Sequence, residues 1–436
     1  EIEQVIDSCK SALCQTSINQ FALYSSCSFA KTEQVFLPIN MEGNFYEKDT
    51  LLPAQKTEGG YYVETNMIPF QGKTISFISG EPAHKEEDNI FFVDLEKHEL
   101  DTPFYHIRWT NSGKLDEIYD KEAKRMVLKE QQYGNVLEIY EDKPINFDAW
   151  DIDIYYQQKR EEISLASPVR LIERGALRIV LRFVYKYHYS KICQDMILYR
   201  NSRRIDFATD VEWHEDHRLL KTAFYTNIRS TKATYDIQFG HVERPTHWNN
   251  SWDWAKFEVC AHKWADLSEN GYGISILNDC KYGHSIKDNV IKLSLLKSAK
   301  NPDPHADMGE HHFTYSLFPH IGNYIDGKTI EEANHLNQST IVWPDHKWLE
   351  SRCLVKVDTN AVILDAVKKA EHEECFIIRL HECHGGHVDF TLSSNFPVKR
   401  MIVCNLLEED TGTIYEGSEV QMTLKAFEII TLKLFL

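Results

Sequence analysis

The chain has 436 residues, and its hydrophobic content of 42% and aromatic content of 12% are typical of a folded protein. This length exceeds one compact core, so about two to four domains are expected. The net charge of −18, from 48 basic and 66 acidic residues, argues against nucleic acid or an anionic membrane as the main partner. No apolar run approaches the roughly 20 residues that a membrane span requires.

The first residues predict an amphipathic helix, because apolar side chains recur at spacings of three and four until about residue 20. The chain begins with Glu1 rather than Met, and neither an N-cap nor a signal peptide precedes the helix. We therefore interpret residues 1–22 as the last helix of a helical domain upstream. An exposed apolar stripe on it would favour association, including a homodimer. The stripe consists of Ile2, Val5, Ile6, Cys9 and Leu13.

Beyond the helix the chain predicts a mainly β, antiparallel fold. Short strands broken by Gly and Pro at residues 23–85 suit a small β-sandwich, and a charged link follows at 80–89. Residues 90–350 predict a large antiparallel sandwich of long strands. Residues 351–436 contain further strands, which either close that sandwich or form a small β-domain.

Three long strands are the clearest part of the large sandwich. Apolar and polar residues alternate from Leu177 to Tyr189, and further strands are predicted at 192–199 and 205–213. A capping-box pattern at 329–332 predicts a short helix.

The ten cysteines are scattered and form no C-x-x-C pair. Most lie in apolar, strand-like runs such as residues 375–378. This distribution favours reduced, buried thiols in a cytoplasmic protein, and a secreted disulfide-bonded protein is the alternative.

Residues 240–254 are the richest in candidate ligand-binding side chains. They include three Trp, two His, one Arg and two carboxylates with little periodicity, which predicts a loop. Indole faces beside bidentate hydrogen-bonding groups suit a sugar, whereas the alternative is a loop whose Trp residues plug the neighbouring sheet. The candidate residues are His241, Arg244, Trp252, Asp253 and Trp254.

A second candidate cluster consists of Asp148, Trp150 and Asp151. Two carboxylates beside an aromatic ring could perform acid–base chemistry on a glycoside or contact a ligand, and they are as easily a solvated turn. With 20 His, H-x-D pairs such as 305–307 and 387–389 arise by chance, and the histidines at 381–387 have the wrong spacing for a zinc motif. No metal site is therefore predicted in this chain.

Several motifs follow one another in a recognisable order. They lie at residues 134–137, 148–153, 239–254, 277–283, 302–304, 309–311, 319–320, 384–386 and 405–408. Together they resemble the C-terminal half of glycoside hydrolase family 38 α-mannosidases, in the cytosolic and bacterial branch of that family. The resemblance covers essentially the whole chain.

The resemblance implies a zinc-dependent, retaining α-mannosidase that acts on α-linked mannoside glycans. In that family the zinc ligands and the nucleophile lie in an N-terminal barrel, which no segment here matches, so this chain alone is expected to be inactive and free of zinc. It also implies a galactose-mutarotase-like supersandwich, packed on the N-terminal catalytic domain, with loops that face the substrate.

Arg244 is the first candidate for a substrate contact, and an ion pair with Glu243 or Asp253 is its structural alternative. The rival hypothesis for the whole chain is a stand-alone carbohydrate-binding or mutarotase-like β-protein.

Overall fold

The computed structural model describes residues 2–83, 90–349, 353 and 355–436, and the chain divides into two compact units. Unit 1 comprises Glu1–Lys85, Gln238–His241 and Gln338–Leu436, and unit 2 comprises Glu86–Ile237 and Val242–Asn337. Most of the predicted charged link (84–89) and the predicted boundary at 350 lie outside the described residues.

Strands dominate the described residues. The first are β1 (Cys14–Tyr24), β2 (Lys31–Leu37), β3 (Gly43–Glu47), β4 (Thr50–Leu52), β5 (Ala54–Thr57), β6 (Gly60–Met67) and β7 (Gly72–Ser79). Next are β8 (Phe92–Asp94), β9 (Glu99–Asp101), β10 (Tyr105–Trp109), β11 (Leu115–Asp120), β12 (Arg125–Met126), β13 (Val136–Glu141), β14 (Arg160–Glu162), β15 (Arg170–Arg174), β16 (Arg178–Tyr187), β17 (Ser190–Tyr199), β18 (Ile205–Trp213), β19 (Arg218–Tyr225), β20 (Lys232–Ile237), β21 (Gly240–Pro245), β22 (Val259–Cys260), β23 (Trp264–Glu269), β24 (Tyr272–Asn278), β25 (Gly283–Lys287), β26 (Val290–Lys297) and β27 (Gly309–Ile321). The last are β28 (Ile341–Trp348), β29 (Lys356–Val357), β30 (Val362–Lys369), β31 (Phe376–Glu382), β32 (Val388–Ser393), β33 (Arg400–Cys404), β34 (Asp410–Glu416), β35 (Glu419–Leu424) and β36 (Ile429–Phe435). The helices are α1 (Ile2–Leu13), α2 (Ser251–Trp254), α3 (Thr329–Asn337) and a 3-10 turn at Ile154–Gln158.

Unit 2 is built on two large sheets. The nine-stranded sheet has the order β15-β16-β17-β18-β27-β24-β23-β20-β21, and the six-stranded sheet has the order β14-β13-β19-β26-β25-β22. A five-stranded sheet, β12-β11-β10-β9-β8, adds to them. Buried apolar side chains from all three sheets form one continuous core.

The long alternating strands explain this packing. In β16 the side chains of Ile179, Leu181 and Phe183 are buried, while Arg182 on the other face forms a bidentate pair with Asp195 (2.6 and 2.7 Å). Strands β17 and β18 confirm the second and third predicted strands. The first predicted strand extended one residue too far at its start and two at its end. The pairing of Tyr187 with Ser190 closes a hairpin and leaves Tyr189 exposed in the turn.

Unit 1 contains two smaller sandwiches. The sheets β28-β1-β7-β3-β4 and β2-β6-β5 enclose one apolar core, at the position predicted for the small β-sandwich. That sandwich also includes β28, which pairs with β1 from the far end of the sequence. The C-terminal strands form two sheets of their own, β30-β31-β36-β33-β34 and β29-β32-β35, around a separate core.

The predicted N-terminal helix exists, but it is shorter than expected. Helix α1 ends at Leu13, and the chain continues directly into β1, so the prediction of helix to residue 22 was wrong. The described part of the apolar stripe, Val5, Ile6, Cys9 and Leu13, is exposed to solvent and lines a cavity of about 640 Å³. The indoles of Trp343 and Trp348 line the same cavity.

The mainly β, antiparallel fold predicted from the sequence is confirmed, and α3 begins at Thr329, where the capping-box pattern placed it. Among the described residues, no helix has the length and apolar character needed to cross a membrane.

Gly273, on β24 of the nine-stranded sheet, has no room for a side chain. A Cβ there would lie 2.1 Å from Ser268 Oγ and 2.2 Å from His320 Cε1, beside the buried pair of Asp266 and His320 (2.8 Å). We expect Gly273→Ala to lower the free energy of unfolding by about 2 kcal/mol or more, because overpacking would also disturb that pair. Urea denaturation measures the loss. Gly386→Ala, whose Cβ would meet no atom within 4 Å, is the control, and equal losses in both variants would contradict the argument.

Candidate functional site

Residues 240–254 form a strand and a one-turn helix rather than the predicted irregular loop. After β21 ends, the side-chain oxygen of Asn250 accepts the backbone N–H of Asp253 at 2.9 Å and caps α2. The carboxylate of Asp253 accepts a hydrogen bond from the Asn250 amide at 2.7 Å. Asp253, a predicted ligand-binding residue, therefore helps to hold the helix that carries Trp252 and Trp254.

Arg244 packs against a tyrosine ring instead of pairing with an acid. Its guanidinium carbon lies 4.6 Å from the ring centroid of Tyr235, and Nη2 donates to the Cys260 carbonyl at 3.3 Å. The predicted structural alternative was wrong, since Glu243 pairs with Lys232 (2.6 Å) and no ion pair joins Arg244 to an acid among the described residues. Burial lowers the pKa of Arg244, although it remains a cation near neutral pH.

The three indoles of this segment differ in what covers them. The ammonium of Lys287 lies 3.9 Å from the ring centroid of Trp248 and occupies that face. Trp252 is 81% exposed and Trp254 46% exposed, so neither plugs the neighbouring sheet. These two rings are available to stack against the apolar face of a sugar.

His241 belongs to unit 1, whereas Arg244 belongs to unit 2. The His241 ring makes an edge-on contact with Phe427 (centroids 4.9 Å apart). Nearby, the carboxylate of Glu382 accepts the backbone N–H groups of His384 (2.8 Å) and Phe427 (2.9 Å) and so fixes this turn. Burial lowers the pKa of His384, with a smaller contribution from the neighbouring His241.

In the second predicted cluster, the acid and the aromatic ring have different roles. Asp148 Oδ2 accepts the backbone N–H groups of Lys300 (2.7 Å) and Asn301 (3.2 Å), which anchors the loop and argues against acid–base catalysis. Trp150 is 79% exposed, and its ring lies 5.7 Å from that of Phe147. The Asp151 carboxylate has no hydrogen bond or ion pair among the described residues.

The two clusters lie at opposite ends of the six-stranded sheet. The Asp148 loop follows the end of β13 and is held by amides that follow the end of β26. Lys287, which covers Trp248, pairs with Val290 in the hairpin where β26 begins. An eight-residue strand such as β26 spans about 25 Å. One sugar ring therefore cannot contact both clusters.

The histidine motifs form no metal site in the part of the chain that the structure describes, where no three His, Cys, Asp or Glu side chains are arranged to hold an ion. His311 Nε2 lies 2.8 Å from the Asp307 carbonyl, and Asp389 accepts from the Thr423 hydroxyl at 2.6 Å. All ten cysteines are free, and six of them are buried.

The sequence prediction missed a buried network of charges on the six-stranded sheet. Glu138 is fully buried and pairs with Lys292 (2.8 Å). Burial alone would raise the pKa of Glu138, but Lys292 and other hydrogen-bond donors outweigh that effect and lower it. Lys221 is also fully buried and pairs with Glu258, which accepts the Tyr156 hydroxyl at 2.5 Å. Burial lowers the pKa of Lys221 in spite of Glu258. The sequence feature that could have revealed this network is the presence of charged residues inside apolar strand runs.

His284 is a second residue that the sequence prediction missed. It is 0% exposed, on β25, and its Nδ1 lies 3.2 Å from the Tyr282 carbonyl. Burial lowers its pKa to about 4, and the positive charges of Lys221 and Arg244 act in the same direction. His284 is therefore a neutral imidazole near neutral pH.

Two family models match this chain. The family model described as "Glycosyl hydrolases family 38 C-terminal domain" matches residues 100–305, and "Glycosyl hydrolases family 38 C-terminal beta sandwich domain" matches residues 361–432. The chain belongs to glycoside hydrolase family 38.

Its relatives carry α-mannosidase names. Alpha-mannosidase 2C1 of Homo sapiens is 37% identical over 77% of this chain and 33% of its own length. Alpha-mannosidase G of Dictyostelium discoideum is 38% identical over 83% of this chain and 34% of its own length. The chain thus spans about a third of these relatives. A solved structure of an alpha-mannosidase from Enterococcus faecalis V583 shares the fold, with a TM-score of 0.75 at 14% identity, over 100% of this chain and 58% of that one.

The exposed thiols of Cys260 and Cys280 should react at different rates. Burial and the neighbouring Asp279 raise the pKa of Cys280 to about 11, so almost none of it is the reactive thiolate near neutral pH. We expect iodoacetamide to alkylate Cys260 at least about tenfold faster, as measured by peptide mass spectrometry. Removing the charge in Asp279→Asn should accelerate Cys280. Equal rates in the unmodified chain would contradict this account.

His284 should make the free energy of unfolding depend on pH. Its folded pKa of about 4 is below the ordinary 6.5, so the unfolded chain binds the proton more tightly and stability falls as pH drops through this range. The loss between about pH 7 and about pH 5 should be about 2 kcal/mol in urea denaturation. His284→Gln, which does not titrate here, should lose that part of the slope. An unchanged slope would mean that other groups cause it.

Proposed function

We propose that this chain is the C-terminal β-domain part of an α-mannosidase that hydrolyses α-linked mannosides. It packs on the N-terminal catalytic domain of that enzyme and supplies loops that face the substrate. The observation that best supports this proposal is that both family 38 C-terminal models match this chain, one after the other. Its relatives are also named α-mannosidases. The enzyme is cytoplasmic in this proposal, which the ten free cysteines support.

The residues of this chain bind and orient the glycan rather than react with it. Arg244 is half-buried and pairs with no acid among the described residues, so its guanidinium can donate hydrogen bonds to sugar hydroxyls. The exposed rings of Trp252 and Trp254 provide stacking faces, and Trp150 provides another at the opposite end of the sheet. Asp253 and Asp148 hold the segments that carry these rings.

The zinc dependence and retaining chemistry implied by the family resemblance belong, in this proposal, to the N-terminal domain. The described residues contain no group of three or more side chains that fits a metal ion. When bound in the enzyme, zinc would supply Lewis-acid polarisation of the substrate. No step of that chemistry is assigned to a residue of this chain.

A stand-alone carbohydrate-binding β-protein is the second candidate function. The exposed indoles favour it, since they present stacking faces within this chain alone. The coding sequence upstream distinguishes the two functions. A catalytic barrel in the same reading frame supports the enzyme, and a stop codon or signal peptide there supports the binding protein.

Arg244 provides the test of the proposed enzyme. The chain alone should be inactive on an aryl α-mannoside, and a longer polypeptide that joins it to its catalytic domain should be active. In that polypeptide Arg244→Ala should cut kcat/KM at least about tenfold, because a lost charged hydrogen bond costs about 1.5–3 kcal/mol.

The matched control is Arg229→Ala, which removes an exposed arginine of the same unit whose side chain has no ion pair among the described residues. It should leave kcat/KM unchanged. If Arg244→Ala keeps the wild-type kcat/KM but has a lower melting temperature, Arg244 has only a structural role, through its contacts with Tyr235 and the Cys260 carbonyl. If the longer polypeptide is inactive on the aryl α-mannoside, the proposed enzymatic function is wrong.

A further inference from the structure

A cavity of about 410 Å³ lies beside the 3-10 turn at Ile154–Gln158, at the same end of the six-stranded sheet as the Asp148 loop. Its walls come from Glu141 at the end of β13, from the residues that follow that strand and from the turn itself, all of which belong to unit 2. The volume is within the range of about 300–1,000 Å³ that is usual for small-molecule sites. The cavity is therefore large enough to hold a small ligand.

Tyr155 presents an aromatic face at this cavity. The next residue of the turn, Tyr156, is 5% exposed, and its hydroxyl donates to Glu258 at 2.5 Å. Because consecutive side chains of a 3-10 turn point about 120° apart, the burial of Tyr156 directs Tyr155 away from the sheet. Tyr155 lines the cavity and is 60% exposed. Its ring is therefore open to stacking against the apolar face of a sugar.

Hydrogen-bonding groups accompany this ring in the wall of the cavity. Gln158, at the end of the turn, is exposed, and its amide offers one acceptor and two donor hydrogens. Lys143 donates to the Glu141 carboxylate at 2.7 Å, and Lys159 donates to the other oxygen of the same carboxylate. Each ammonium keeps further N–H groups for a ligand, since it carries three donors. An aromatic face beside donors held in place suits a pyranose ring.

The carboxylates of the cavity already have partners, which favours a neutral ligand. Glu141 pairs with two lysines, Asp142 pairs with Lys297, and Asp153 accepts the backbone N–H of Ile145 at 2.8 Å. A bound anion would compete with Glu141 for its lysines. A bound cation would compete with those lysines for the carboxylates. A sugar adds no charge and disturbs neither set of pairs.

We propose that this cavity is a second carbohydrate-binding site, which holds a neutral pyranoside against Tyr155 with Gln158 and Lys159 as hydrogen-bond donors. The strand that separates the two ends of the sheet spans about 25 Å, so this ring is not the one that Arg244 contacts. The site binds a further residue of the glycan. The proposal deepens the proposed function and rests on it for the identity of the sugar as a mannoside.

Fluorine NMR of the 436-residue chain tests the proposal directly. In a sample labelled with fluorotyrosine, the resonance of Tyr155 is identified by its loss in Tyr155→Phe. The probe is an S-linked α-mannobiose, whose bridging sulfur resists hydrolysis. It should shift the Tyr155 resonance with a millimolar dissociation constant, as expected for stacking and a few hydrogen bonds to one ring. Inorganic phosphate should not shift it, because Glu141 holds both lysines.

Two exposed tyrosines provide a matched pair of variants. Tyr155→Ala should weaken binding of the mannobiose at least about threefold in calorimetry, because the stacking face is lost. Tyr189→Ala removes a tyrosine that is 84% exposed in the turn between β16 and β17 and does not line the cavity, so it should bind as the unmodified chain does. Both side chains are largely exposed, and both variants should fold.

Two glutamines separate direct contact from disturbance of the turn. Gln158→Ala should weaken the sugar-dependent shift about threefold or more, since a hydrogen bond is lost. Gln157 is exposed and hydrogen-bonds with Tyr156, but it does not line the cavity. Gln157→Ala should therefore leave the shift unchanged. An equal loss in both variants would mean that the turn, and not a sugar contact, is responsible, and would contradict the proposal.

Three further results would overturn the second site: no shift of the Tyr155 resonance at about 100 mM mannobiose, equal binding by Tyr155→Ala and Tyr189→Ala, or a larger shift with phosphate. The same titration on the longer polypeptide tests whether Tyr155 instead contacts the catalytic domain. A shift that is present in the 436-residue chain and lost in the longer polypeptide would show that this domain covers the cavity, which also overturns the proposal.

These outcomes are distinct from failure of the proposed enzyme. Hydrolysis of the aryl α-mannoside by the longer polypeptide without any shift of the Tyr155 resonance removes the second site and keeps the enzyme. A shift without any hydrolysis removes the enzyme and keeps the site.

Discussion

The apolar layer shared by the sheets of unit 2 is the constraint on which the rest of that unit depends. Long antiparallel strands have a side-chain period of two, so each strand that contributes one face to the core must place its other face elsewhere. In β16 that other face carries Arg182, which is neutralised by Asp195 on the next strand. Burial of one face therefore determines where charged side chains can lie and which of them need a partner.

The same constraint places the candidate ligand-binding groups near edges. Strand β21 is at one edge of the nine-stranded sheet, and β22 is at one edge of the six-stranded sheet. Arg244 on β21 donates to the carbonyl of Cys260 on β22, so a side chain that we propose to contact the substrate also links two edge strands. Because edge strands leave backbone groups unpaired, such a link contributes to closing the sandwich as well as to binding.

The sequence predicted the fold correctly where a strand can be recognised from its own alternation of apolar and polar residues. Alternation over β16–β18 predicted strands, core face and polar face, apart from the turn at Tyr189. The end of α1 could not be predicted from the sequence. Strand β1 begins at Cys14 because it pairs there with β28, and a contact with a strand so distant in sequence leaves no sign in the local hydrophobic pattern. Pairing with a distant strand overrides weak helical periodicity.

The candidate site shows the same division between residue identity and environment. The sequence identified Arg244, Trp252 and Trp254 as polar and aromatic groups that suit a sugar. It could not show that Asp148 and Asp253 are committed to hydrogen bonds that hold their own segments. His284 escaped notice because a lone histidine in an apolar strand has the pattern of an ordinary core residue. Its Nε2 has no hydrogen-bond partner among the described residues, which no sequence pattern reports.

The pairing of β1 with β28 has a consequence for the order of folding during synthesis. The indole of Trp348 donates to the Leu23 carbonyl at 2.8 Å across 325 residues of sequence. The ribosome therefore completes both segments of unit 2 before it produces the strand that β1 requires. Since chain closure over such a distance is slow, β1 should remain without this partner while unit 2 acquires its core. During that interval the edge of β1 that later pairs with β28 is open to pairing with other chains.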